Sequence, residues 1–238
     1  MNYLLFAFAF QLMSVSSPTD PPESFAVVEL FTSQGCSSCP PADVVLRKLV
    51  EEYAARETPV YALSFHVDYW NYIGWKDPYS DARFSERQRA YAGRLQSRVY
   101  TPQMVVNGKT EFVGSREGEA RQSVRSALKR SSKATVNAEA TLKEDQVHVE
   151  FSTSAARGVV NIALVERNIS TQVKRGENRN RTLRHDNVVR AFRQVKIGNE
   201  TSVELLIPDD VDRSQSEVIV YVQTSSVGEI IAASRAKF

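Results

Sequence analysis

The segment FTSQGCSSCPP, residues 31–41, constrains the fold more than any other, because it sets two thiols on a loop between two different hydrophobic patterns. Upstream, FAVVELF (25–31) is a nearly continuous apolar run, the pattern of a strand buried on both faces. Downstream, Leu46, Leu49, Val50 and Tyr53 recur at helical spacing, with Asp43, Arg47, Lys48, Glu51 and Glu52 assigned to the opposite face. Pro40 and Pro41 suit the first helical turn, where an N–H would have no partner in any case. Cys36 and Cys39 are the only cysteines among 238 residues, so a disulfide-built scaffold is excluded. A bridge between them closes so short a loop that it removes little chain entropy, which weakens a purely structural role.

The pattern continues as an alternation. PVYALSFHV (59–67) reads as a second strand and SDARFSERQRAYAGRLQSR (80–98) as a charged helix carrying Phe84, Tyr91 and Leu95. QMVVNGKTEFVGS (103–115) reads as a hairpin turning at Asn107-Gly108, and REGEARQSVRSALKRS (116–131) as a third helix. The order β-α-β-α-β-β-α implies a mostly parallel sheet with helices on both faces and an antiparallel hairpin at one side. After about Ala134 the text changes to short strand-like runs (TVNAEATL, QVHVEFS, GVVNIALVER, NVVRAFRQVKI, TSVELLIP, SEVIVYVQT), the pattern of a β-sandwich. NISTQVKRGENRNRTLRHD (168–186) interrupts them as a long polar loop.

At the N-terminus, Leu4 to Met13 is an apolar stretch too short to span a bilayer and of signal-peptide length. Small residues and a Pro-rich polar segment follow it, although no Lys or Arg precedes it. The expected division is therefore a signal peptide at 1–17, a linker at 18–24, an α/β domain at 25–132 and an all-β sandwich-like domain at 133–238. Such a protein is exported, to a bacterial periplasm or beyond, and keeps no integral membrane segment after cleavage. A formal net charge of +2 gives no footprint for nucleic acid.

A C-x-x-C between a buried strand and a helix start has a chemical meaning. The helix N-terminus carries unpaired N–H groups and partial positive charge, which favour a thiolate. A second thiol one turn on is placed to resolve a mixed disulfide. Beside a β-α-β pattern this reads as a thioredoxin-like redox motif, with Cys36 the more exposed and more acidic thiol and Cys39 resolving. Thr101-Pro102 opens the third strand, a position where proline is tolerated.

The strings ELFTSQGCSSCPPAD, SFHVDYWNYIGWKDPYS, RQRAYA, YTPQMVVNG and GENRNRTLRHDNVVR together resemble an exported bacterial family filed as domain-of-unknown-function family 1223. The resemblance covers nearly the whole chain past the N-terminus and implies a thioredoxin-like fold for residues 25–131, without a substrate. In thioredoxin-like proteins the proline matching Pro102 is cis, packs on the C-x-x-C and lets the preceding backbone position the partner. Ser37 and Ser38 replace the Gly-Pro or Pro-His pairs of well-known reductants and oxidants, which leaves the direction of electron flow open.

Further candidates lie outside the pair. His66, Asp68 and Trp70 stand where the second strand ends at the same sheet edge as the thiols. His66 or Asp68 can serve as a proton acceptor, but a hydrogen-bonded structural His66 among loop aromatics is the favoured reading. The Arg-rich loop, with Lys174, Arg175, Glu177, Asn178, Arg181, His185, Asp186 and Asn187, is either a solvated surface or a cover that reaches back over the thiols. The leading function is thiol–disulfide exchange with protein or small-molecule thiols and disulfides, through an unspecified redox partner and without a cofactor. One alternative is a copper-binding or chaperone module using Cys36, Cys39 and histidines such as His66 and His185, although no local spacing gathers that ligand set. Another is a non-catalytic binding protein on the same scaffold.

Overall fold

A computed structural model describes residues 24–238. The expected signal peptide and most of the linker lie outside the described residues. The first half forms β1 (Ala26–Thr32), α1 (Pro40–Ala55), β2 (Val60–His66), α2 (Ala82–Leu95), β3 (Gln103–Val106), β4 (Thr110–Val113) and α3 (Glu117–Ala127). This is the order expected from the sequence. β1 runs parallel to β2 and antiparallel to β3, and β3 pairs with β4. The β3–β4 turn uses Asn107 and Gly108 with φ of 48° and 64°. A Cβ on Gly108 would lie 2.1 Å from the Gly228 carbonyl oxygen, so glycine is required there by space as well as by conformation.

β1 and β2 are buried along their whole length, and their alternation feeds two different cores. Ala26, Val28, Leu30 and Ala62 pack with Leu46, Leu49, Ala120 and Val124 under α1 and α3. Val27, Phe31, Leu63 and Phe65 pack with Phe84 and Tyr91 under α2. Glu29 lies on this second side, fully buried, and is held by Arg87 of α2 at 2.7 Å and by the hydroxyls of Tyr91 and Tyr221. Desolvating that carboxylate is costly, and this ring of donors offsets the cost.

The second half adds β5 (Val136–Lys143), β6 (Gln146–Thr153), β7 (Val159–Glu166), β8 (Ile169–Gln172), β9 (Thr182–His185), β10 (Val188–Lys196), β11 (Ser202–Leu206), β12 (Ser216–Gln223) and β13 (Ile230–Ala236). The expectation of a self-contained sandwich needs correction. β5, β6 and β11 do form a separate three-stranded sheet, and it packs its Val147, Val149 and Leu205 against Ile162, Leu164 and Val220. The opposing strands, however, join the first half in one eight-stranded sheet ordered β13-β12-β7-β10-β2-β1-β3-β4. The junction is a parallel pairing of β10 with β2, at Val188 and Ser64. Backbone pairing and the α2-side core, which includes Val165, Ile219 and Tyr221, both cross the expected boundary at 132/133. A second correction concerns 168–186: this stretch is a β8–β9 hairpin with a loop at its tip, not an unstructured loop. Among the described residues no helix is long and apolar enough to cross a membrane.

Candidate functional site

β1 ends at Thr32, and the chain turns through residues 33–38 before α1 begins at Pro40. Cys36 and Cys39 form a disulfide across that turn, with Cα atoms 5.4 Å apart. Cys39 stands at the helix N-cap, and its carbonyl accepts from the amides of Ala42 and Asp43. The Thr101–Pro102 peptide is cis. It brings Thr101 to the disulfide: Thr101 Oγ1 donates to Cys36 Sγ at 3.3 Å, accepts from Trp70 Nε1 at 2.8 Å, and its carbonyl accepts from Ser38 Oγ at 3.4 Å. Three sequence candidates, Thr101, Pro102 and Trp70, thus converge on the pair.

The exposure expected for Cys36 is not found. Both cysteines are 0% exposed, while Ser37 and Ser38 between them face solvent. The tip of the β8–β9 hairpin, residues 173–181, forms a cover tied by hydrogen bonds to the backbone of the turn that carries them. Asn178, itself fully buried, donates from Nδ2 to the carbonyls of Gln34 and Cys36, each at 2.9 Å. Glu177 accepts from the Ser37 amide at 3.1 Å. Gly176, at φ 75°, passes so close to Trp75 that a Cβ would sit 3.2 Å from the Trp75 Cβ. Arg181 does not reach the sulfurs; it donates to Asn178 Oδ1 at 2.8 Å and so fixes which way that amide faces.

Beneath the disulfide lies a buried polar cluster built from both halves. His66 Nδ1 meets Asp77 Oδ2 at 2.7 Å, and the same oxygen accepts from the Gln34 amide. Burial opposes ionisation of Asp77, but His66 and two backbone amides outweigh it and hold its pKa below the usual carboxylate value. The His185 ring packs edge-on against His66 with centroids 4.7 Å apart, and its Nδ1 faces Asp43 at 3.5 Å. Burial disfavours a charge on His185, yet Asp43 outweighs it and raises the pKa. Gln34 opposes that tendency. Trp75 Nε1 donates to Gln34 Oε1, which leaves the Gln34 NH₂ facing His185 Nε2, a contact that suits the neutral ring with its proton toward Asp43. His66 Nε2 is buried without a hydrogen-bond partner.

His66 and His185 therefore belong to the site as a buried pair. Among the described residues no group of three or more His, Cys, Asp or Glu is arranged to hold a metal ion. Asp68 stands apart: its carboxylate accepts from Ser85 Oγ and its amide donates to the same atom, which ties the loop to α2. Sequence reasoning missed Gln34 and Asp77, and it put Asp43 on the solvent face of α1. Asp43 is 4% exposed and accepts from Thr32 Oγ1 at 3.1 Å. The signal for Asp43 was spacing, since it lies four residues after Cys39 and so on the same helical face as that thiol.

Comparison with known proteins adds a family and a fold. The sequence model of a family described as "Protein of unknown function (DUF1223)" matches residues 27–223. A crystal structure of an Agrobacterium tumefaciens protein is similar at 30% identity, over 90% of this chain and 94% of that one, with a TM-score of 0.65. The protein HBP35 of Porphyromonas gingivalis is similar at 16% identity, over 91% of this chain and 76% of that one, with a TM-score of 0.62. That second likeness speaks to fold alone. No curated protein matches the sequence.

Proposed function

The chain belongs to the DUF1223 family, whose description names no activity, and from that premise we propose that it is an exported thiol–disulfide oxidoreductase on a thioredoxin-like scaffold. The observation that carries the reading is the Cys36–Cys39 disulfide at the start of α1, with Thr101 of a cis Thr-Pro pair against its sulfur. The order β1-α1-β2-α2-β3-β4-α3, with strands side by side as β2-β1-β3-β4, supports the scaffold. The short apolar stretch at Leu4 to Met13 supports export, to a compartment where such a pair is held oxidised.

In the exchange, a partner thiolate attacks Cys36 Sγ. The Cys36–Cys39 bond breaks, its electron pair leaves on Cys39, and a mixed disulfide forms. A second partner thiolate then attacks the partner sulfur of that mixed disulfide and releases Cys36. Two electrons pass from the partner dithiol to the protein pair; the reverse sequence oxidises the protein. Thr101 Oγ1, as donor to Cys36, stabilises negative charge on that sulfur when it leaves.

The test is the reduction potential of the pair, measured by equilibration of the protein in glutathione buffers. A value of roughly −270 to −120 mV supports catalytic exchange and sets its direction. A value far below that range marks a structural bridge and removes the proposal.

A further inference from the structure

We propose that this disulfide is served by an acidic partner, a cysteine-bearing peptide segment with carboxylates flanking its reacting thiol, and that a partner carboxylate takes over the place Glu177 holds at the Ser37 amide. The proposal rests on the exchange function above and adds to it a substrate class.

The first observation is one of access. Neither sulfur is exposed, and what faces solvent is Ser37, Ser38 and the 173–181 segment. That cover is fastened on its outer side by one solvent-exposed contact, the Glu177 carboxylate on the Ser37 N–H. The inner tie, through Asn178, is buried. On this proposal a partner reaches the sulfur by displacing the cover. A carboxylate arriving from solvent competes directly for the outer fastening, because it offers Ser37 the same acceptor.

The second observation is charge. Lys174, Arg175, Arg179 and Arg181 stand exposed on the covering segment. Among the described residues none of the four forms an ion pair with a carboxylate; the ion pairs of Arg47, Lys48, Arg116 and Arg121 lie on the helices. Acidic groups on the neighbouring 68–80 loop are turned inward, Asp68 onto Ser85 and Asp77 into the buried cluster. Glu177 is thus the one acid of the 173–181 cover, and it is occupied by Ser37. On a chain of net charge +2 this is a local field, not a bulk one. It attracts anions to the mouth and favours the thiolate over the thiol in whatever docks there.

The third observation favours a peptide over a small anion. Val44, Tyr72 and Val99 are 38%, 81% and 43% exposed. They sit respectively at the start of α1, beside Ile73 against which Gly176 packs, and two residues before Thr101. Apolar side chains are thus exposed on each of the three stretches that carry Cys39, Trp70 and Thr101, and the unpaired cations stand on the segment hydrogen-bonded across the Cys36 turn, a combination that suits a segment mixing apolar and acidic side chains.

The experiment uses the oxidised full chain and three dithiol peptides of one length. Their cysteines are flanked by Asp, by Ser or by Lys. The rate at which each reduces the Cys36–Cys39 bond is followed at about 0.02 M and about 0.5 M salt. Each rate is divided by the same peptide's rate with neutral dithiodipyridine, which removes the effect of the flanks on its own thiol. The Asp peptide is expected to react about tenfold faster than the Lys peptide at low salt, with the difference closing at high salt. In an Arg175→Glu/Arg179→Glu variant that preference disappears or reverses. In Glu177→Gln the Ser peptide gains several-fold, because the outer fastening is weakened. Equal corrected rates for the three peptides at low salt overturn the proposal while the exchange function stands. If no peptide and no small thiol reduces the bond in the folded chain, the exchange function falls and this proposal with it.

Discussion

Replacing Asn178 by alanine removes the inner tie of the cover and leaves every residue of the disulfide in place. The lost interactions are two N–H···O bonds of 2.9 Å, to the carbonyls of Gln34 and Cys36. A neutral hydrogen bond contributes a net of about 0.5–1.5 kcal/mol, so the pair contributes about 1–3 kcal/mol to the closed state. At about 1.4 kcal/mol per decade, the cover then opens about 5- to 150-fold more often, centred near 30-fold. The assay is reduction of the disulfide by a small phosphine at low concentration, quenched by alkylation and read by mass. In that regime the rate follows the population of the open form. Urea unfolding of the same variant is expected to lose the same about 2 kcal/mol, since the closed state is the reference for both equilibria. The urea dependence of the reduction rate separates the two, staying nearly flat for a local opening and rising with the full unfolding slope for a global one. A reduction rate equal to that of the parent protein refutes the reasoning: the 173–181 segment would then not be what shuts the sulfurs away.

Other outcomes follow from the same geometry. Arg87→Met leaves Glu29 buried without its cation and is expected to cost about 3–5 kcal/mol of unfolding free energy, read by urea denaturation; adding Glu29→Gln restores part of it. The pH dependence has two limbs. Because the folded pKa of His185 is raised, its contribution is fully present below the unfolded value near 6.5 and is lost as pH rises through the folded pKa. Because that of Asp77 is lowered, its contribution is present above the unfolded value near 3.8 and is lost as pH falls through the folded pKa. In urea midpoints against pH, His185→Gln is expected to flatten the upper limb and Asp77→Asn the lower; an unchanged curve in either variant rejects that assignment. The Cys36→Ser/Cys39→Ser variant is expected to fold and to lose no more than about 2 kcal/mol, the chain-entropy value for so short a loop. A much larger loss would make the bridge a structural staple.

What the sequence disclosed and what it hid divide along a physical line. The strand, loop and helix around Cys36, the Asn107-Gly108 turn and the place of Thr101-Pro102 were legible because local pattern decides them. The reach of the Arg-rich segment over the thiols was legible only as an even alternative, and His66 as a hydrogen-bonded residue without its partner. The β8–β9 pairing was hidden because its inward positions, Ile169 and Leu183, are too few to mark a strand among Arg and Asn. Asp43 was misplaced because polarity was taken for exposure; Thr32 and His185, one from β1 and one from β9, satisfy it inside. The merging of the two halves was hidden because the contacts that make it, the pairing of Val188 with Ser64 and the packing of Val165, Ile219 and Tyr221 on the α2 side, span sequence distances that leave no periodic trace.

The two faces of the central strands divide the work of this molecule. On β1 and β2 the residues of one register, Glu29 among them, look toward α2 and bind Arg87, Tyr91 and Tyr221 into a buried ion-pair network. The residues of the other register, Thr32 and His66, look toward α1 and β9 and build the titratable cluster under the disulfide. The second half contributes to both, with Tyr221 of β12 on one face and His185 of β9 on the other. A strand buried on both sides can serve both tasks because its side chains alternate, and a fully covered sheet keeps the two networks from sharing partners. Substitutions in the Arg87 network should therefore change global stability without changing the cluster's pH response, and the two sets of effects should add. The chemistry at Cys36 can then vary by way of the cover and the cluster, while the far face of the same strands holds the two halves of the chain together.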